Sequence, residues 1–157
     1  MSMTETRDGE DETRIAHLSG WFRRRPTSME YWELLVTEER LVWCFVGESF
    51  KSMLLRADTG ERGRGEIEDA TPDRALSLDE RNFAVPLDSL ESVRLRDGTL
   101  FRRAKLVVTW KENDEADSYE LYATKTADSQ VDDVEALADD PRLSHVDVGV
   151  ETTDGLF

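Results

Sequence analysis

The chain has 157 residues, of which 38% are hydrophobic, and its 35 acids against 20 bases give a net charge of −15. That length suits one domain with its own core, and the acidic balance disfavours a polyanion such as nucleic acid as partner. The lone Cys44 excludes an intrachain disulfide, and no apolar run approaches the ~18 residues of a membrane-spanning helix.

The bases comprise 16 Arg and only four Lys. Acid excess with scarce lysine resembles the proteins of salt-accumulating halophiles, where carboxylates hold a hydrated surface and concentrated salt screens their repulsion. The N-terminus opens on acidic, polar residues and not on a signal peptide, so a soluble cytoplasmic protein is the expectation. Charge is uneven: residues 112–157 hold 14 acids and two bases, net −12, whereas residues 13–29 hold four Arg and no acid.

Residues 1–13 are polar, acidic and aperiodic, and read as a disordered N-terminus. A single domain is expected over residues 14–143. It opens where Ile15, Leu18, Trp21 and Phe22 fall near helical spacing, with Gly20 as a weak point and Pro26 as a stop, predicting a short amphipathic helix or turn. Residues 29–36 and 41–46 predict a β-hairpin around Thr37-Glu38-Glu39-Arg40, the second arm being continuously apolar with Cys44 as a buried small hydrophobe.

Residues 47–82 read as a long connection or insertion: Phe50, Met53 and Leu54 suit a short helix, residues 58–70 a charged, Gly-rich loop, and Thr71-Pro72-Asp73 a helix cap. Residues 83–90 are extended, with Pro86 marking an edge or bulge. Val93-Arg94-Leu95-Arg96 alternates before Asp97-Gly98, which predicts a two-residue hairpin returning along residues 99–103. Residues 106–110 give a buried strand, 112–117 an acidic loop and 119–123 another strand. Ser129 then caps a helix with Val131, Val134, Leu137 and Ala138 as its apolar stripe, and Pro141 ends it. Residues 144–157 form a strand-like tail, suited to a sheet edge or a second copy.

The hairpin wording of residues 34–43, the run of residues 85–93, and residues 106–123 with the following helix resemble, in order, the PH-like superfamily of GRAM and bacterial PH type. The resemblance implies a mainly β fold with a C-terminal helix: a bent antiparallel barrel or sandwich of six or seven strands capped by one helix. It implies no reaction, because the family has no universal catalytic motif. Phosphoinositide-binding members place Lys and Arg in the first hairpin turn; here that turn carries Glu38, Glu39 and a single Arg40, so no phosphate clamp is expected there.

No catalytic, cofactor or metal set emerges. His17 and His145 stand alone, and Cys44 lacks the electropositive surroundings of a reactive thiolate. Gly60-Glu61-Arg62-Gly63-Arg64-Gly65 lacks the Lys and Ser/Thr of a phosphate loop, and Asp58, Gly60, Arg62 and Asp69 do not fit a calcium loop. Arg14, Trp21, Phe22, Arg23, Arg24 and Arg25 make the best candidate contact surface, since bases beside aromatics suit anionic surfaces. The competing reading packs both aromatics on the barrel and pairs the arginines with the acidic body. The expectation is a non-catalytic PH-like binding or assembly module acting through protein contacts, self-association included, with the small-molecule ligand left open. The alternative is a peripheral membrane adaptor anchored by residues 14–25.

Overall fold

Where the spacing suggests a helix, the computed structural model has a strand, β1 (Arg14–Arg24), antiparallel to β2 (Ser28–Thr37). The structure describes residues 12–50, 61–99, 102–124 and 128–151. The cause of the misreading is irregular register: shifts between Arg14 and Ala16 and between Leu18 and Trp21 break the period of two. Leu18 and Trp21 therefore both face the core at a spacing of three, which imitates a helix. Gly20 sits in the second irregularity at φ +82°, a conformation that favours glycine.

β2 continues through the expected turn into β3 (Arg40–Phe50). Thr37 Oγ1 organises that turn, accepting from the Glu39 and Arg40 amides at 3.1 and 3.0 Å. Phe50 ends β3 and does not start a helix, while Met53 and Leu54 lie outside the described residues. Two helices follow, α1 (Glu61–Asp69) and α2 (Pro72–Ser77). α1 occupies part of the expected loop because Ile67 packs with Ala75 on Leu35, Val42 and Cys44, outside the sheet. Tertiary burial thus overrides the poor helix propensity of Gly63 and Gly65. Thr71 caps α2 as expected, accepting from the Arg74 amide at 3.1 Å.

β4 (Phe83–Pro86), a 3₁₀ turn, β5 (Leu90–Arg96), β6 (Lys105–Glu112) and β7 (Glu115–Ala123) complete the antiparallel part. Asp97-Gly98 is not a two-residue hairpin, and the described residues 99, 102 and 103 of the expected return are not strand: Arg96, the last residue of β5, pairs with Lys105, the first of β6. The tight turn lies instead at Asn113-Asp114, with φ of 55° and 68°, inside the expected acidic loop. Both residue types accept left-handed backbone, which a two-residue hairpin of this twist requires.

α3 (Asp128–Ala138) buries Val134 and Leu137 while Ala138 stays exposed, so its apolar stripe is narrower than the spacing suggests; the side chain of Ser129 lies outside the described residues. β8 (Asp147–Glu151) then pairs parallel with β5. The strand-like tail thus extends this chain's own sheet.

The protein is mainly β with a C-terminal helix. Its strands run β4-β3-β2-β1-β7-β6-β5-β8 with β4 and β8 as edges, so the sheet does not close into a barrel. Among the described residues seven strands precede α3 and β8 makes an eighth, against the six or seven expected. The sheet folds over itself: Trp43 of β3 lies 5.6 Å from Trp110 of β6 and 4.9 Å from Tyr119 of β7, although β3 neighbours neither strand. Trp32 and Phe83 join that aromatic layer. α3 packs on β1, β5 and β8, bridging the two halves.

Candidate functional site

The alternation of β1 distributes the six candidate residues to different places. Trp21 points inward, 1% exposed, and its Nε1 donates to Gln130 Oε1 of α3 at 2.7 Å. The same Gln130 donates to the Ser19 carbonyl at 2.5 Å, fixing α3 to β1. Arg14 lies at the other end of the strand, where its Nη2 donates to the Ile67 and Ala70 carbonyls at 2.6 and 2.5 Å. Both carbonyls lie at the C-terminal end of α1, where a cation is favoured.

Arg23 places its guanidinium 3.8 Å over the Tyr119 ring and pairs with Glu30 at 3.5 Å, covering the aromatic layer at its open side. Phe22 and Arg24 face outward. Phe22 is only 4% exposed because Tyr31 and Tyr122 flank it at 6.2 and 6.0 Å and two guanidiniums cover it, those of Arg24 at 5.9 Å and Arg103 at 5.5 Å. Arg24 also stacks 4.4 Å over Tyr122. Arg103 is held by its bond to the Ala123 carbonyl at 2.8 Å. Arg25 is exposed in the β1–β2 turn.

The candidate surface therefore becomes a cation–aromatic cluster of Phe22, Tyr122, Arg24 and Arg103. Sequence reasoning missed Tyr122 and Arg103, because only the β1–β7 pairing, Phe22 opposite Tyr122, joins segments a hundred residues apart. The apolar bodies of Trp21 and Phe22, which membrane anchoring needs at the surface, are covered.

Arg40 of the first hairpin is fully engaged. Its Nη2 and Nε bond Glu12 Oε1 and Oε2 at 2.9 and 3.0 Å, and Nη2 bonds Asp73 Oδ1 of α2 at 2.6 Å. Burial opposes the charge, but both carboxylates prevail and raise the Arg40 pKa. Thr37 Oγ1 also donates to Glu12. Glu12, which falls in the stretch read as disordered, is thus buried and held; residues 1–11 lie outside the described residues.

The histidines have partners. His17 Nε2 lies 2.7 Å from Oε1 of Glu33, a carboxylate with no exposed surface, whose Oε2 accepts from the Gly20 amide at 2.8 Å. Cys44 stands opposite Glu33 on β3, and burial, reinforced by that carboxylate, pushes its thiol up to about 12. His145 Nε2 lies 2.7 Å from the Leu87 carbonyl, beside an open polar groove of about 640 Å³ lined by Asp88, Glu91, Lys111 and Asp114. Among the described residues, no group of His, Cys, Asp and Glu is arranged to hold a metal ion, and no helix is long and apolar enough to cross a membrane.

No protein-family model matches the chain. Comparison with curated proteins also returns no match. Among solved structures it is similar to the hSac2 domain from the human phosphoinositide phosphatase Sac2, with a TM-score of 0.52 and 11% identity over 91% of this chain and 78% of that one. At that identity the likeness is one of fold.

Proposed function

We propose that the chain is a PH-like binding and assembly module that acts through protein contacts, self-association among them, without catalysis of its own. The strand order β4-β3-β2-β1-β7-β6-β5, folded over an aromatic core with one helix bridging its halves, supports the PH-like reading of the sequence. The likeness to the hSac2 domain is one of fold, and a fold found as one domain of another protein is compatible with a module.

One observation carries the reading. α1 and α2 cover the outer face of β2 and β3, while the outer face around β1, β7 and β6 is left to Arg24, Tyr122 and the ion pair of Lys105 with Glu120, side chains suited to a partner surface. The neighbour's phosphoinositide chemistry finds no counterpart in the first hairpin, where Arg40 is consumed by Glu12 and Asp73. The membrane alternative would have to rest on arginines alone, because the apolar bodies of Trp21 and Phe22 that would insert are covered. Light scattering of the full chain over a range of concentrations tests the assembly reading: mass should rise above 18.0 kDa with concentration. A mass that stays at one chain throughout rejects self-association.

A further inference from the structure

We infer that the outer face of β1, β5, β6 and β7 receives the acidic face of α3 from a second copy of this chain. The inference deepens the assembly reading and rests on it. Register defines the face: Arg96, Lys105, Tyr122 and Phe22 are cross-strand neighbours in one row, with Arg24 and Arg103 at its β1 end. In a chain with 35 acids, Arg24, Arg96 and Arg103 have no carboxylate within ion-pair distance among the described residues. Arg96 Nε is moreover buried without an acceptor, beside a recess of about 170 Å³ shared with Arg94, Lys105 and Glu151.

α3 supplies the complement. Asp132 and Glu135, with Asp139 one residue past the helix end, are exposed at i, i+3 and i+7, one stripe opposite the buried Val134 and Leu137. At about 1.5 Å per residue the stripe is about 10 Å long. Three strand spacings of about 4.8 Å carry the basic row about 14 Å from β5 to β1, within reach of carboxylate side chains at both ends. α3 packs on β1, β5 and β8 through its apolar side, so its acidic stripe is turned away from its own sheet and into solvent. Arginine forks match carboxylates in such a contact, and guanidiniums already stacked on aromatic rings lose little freedom in forming it. An extended polyanion would instead meet a body of net charge −15 around the patch.

Sedimentation of the full chain at 0.15 M KCl should give a mass that rises with concentration, and 1 M KCl should reverse it as the screening length falls from about 8 to about 3 Å. Arg24→Glu combined with Arg103→Gln, and separately Glu135→Lys combined with Asp139→Lys, should each sediment as a single chain with an unchanged circular dichroism spectrum. Mixed in equal amounts, the two variants should regain one contact and form a 1:1 complex. If losing the Arg103 bond to Ala123 unfolds the first variant, Arg24→Glu alone replaces it, because Arg24 is exposed. A wild-type chain that never associates overturns both this inference and self-association; association that persists in both variants, or a mixture that stays single, overturns this inference alone. A single-chain wild type that binds phosphatidylserine vesicles through Arg24 also overturns it and assigns the face to a membrane.

Discussion

Glu33 is the residue whose placement demands the most of its surroundings. A carboxylate with no exposed surface costs several kcal/mol to desolvate unless its lone pairs are used, and here Gly20 and His17 use them at 2.8 and 2.7 Å. The bond to Gly20 also fixes the β1 irregularity, from which the Gly20 carbonyl accepts Thr124 at the end of β7. Glu33→Ala should therefore cost about 2–4 kcal/mol in urea unfolding, by leaving a buried donor unmet. Glu33→Gln, which keeps an acceptor for Gly20, should cost about 1 kcal/mol; equal losses from the two would sink the assignment. Cys44 gives a prediction of opposite sign to the carboxylates. Its thiol lies well above the ordinary 9.0, so the folded chain holds that proton more tightly than the unfolded chain does. The stability it contributes is complete below about pH 9 and fades as pH rises through about 12. At pH 8 iodoacetamide should label Cys44 only as fast as the protein opens, and labelling as rapid in buffer as in urea would contradict the burial.

Between elements, Arg40 links the first hairpin to both the N-terminal segment and α2. Arg40→Ala strands the buried Glu12 carboxylate and should cost about 3 kcal/mol, read as a lower urea midpoint, with no change in binding to inositol phosphates. Saturable headgroup binding abolished by that substitution would instead restore the phosphate-clamp role. The elements that the sequence announces are those whose signal is local: the hairpin at Thr37, the Thr71 cap and the terminal amphipathic helix, whereas the extended run expected over residues 83–90 stops at Pro86, where a 3₁₀ turn over Leu87–Ser89 separates β4 from β5. What it hides depends on contacts distant in sequence. β1 reads as a helix because its irregularities bring Leu18 and Trp21 to one face, and α1 reads as a loop because what holds it, Ile67 docked on Val42 and Arg14 bonded to the carbonyls at its end, is distant in sequence. The acidic run around Asn113-Asp114 conceals a tight turn for a different reason: it lacks the glycine that usually marks one. The candidate surface was half legible, since four arginines without an acid stood out in sequence, whereas the cluster itself needed strands β1 and β7 to meet.

At the scale of the whole molecule, charge and fold pull against each other. The net −12 of residues 112–157 is concentrated in β7, α3, β8 and their flanks, where most carboxylates are exposed and Lys105–Glu120 at 2.9 Å is one of the few relieving pairs. Lys105 lowers the Glu120 pKa, yet an exposed pair of that kind contributes little. Repulsion among the rest is long-ranged at low salt and fades as the screening length falls from ~10 Å at 0.1 M to ~3 Å at 1 M. Added salt also weakens attractive pairs, but Arg40 with Glu12 is partly buried and is screened less than the open acidic face. The balance favours stabilisation, so the melting temperature should rise by about 5 °C between 0.1 and 1 M KCl, equivalent to about 2 kcal/mol for a chain of this size. Glu112→Gln with Glu115→Gln should raise the low-salt melting temperature and flatten the salt dependence, because those exposed carboxylates sit in the crowded region and lie off the acidic stripe of α3. A melting temperature that is flat or falling over that range would mean that the acids are already neutralised by neighbours, and the halophile-like reading of the composition would fall with it.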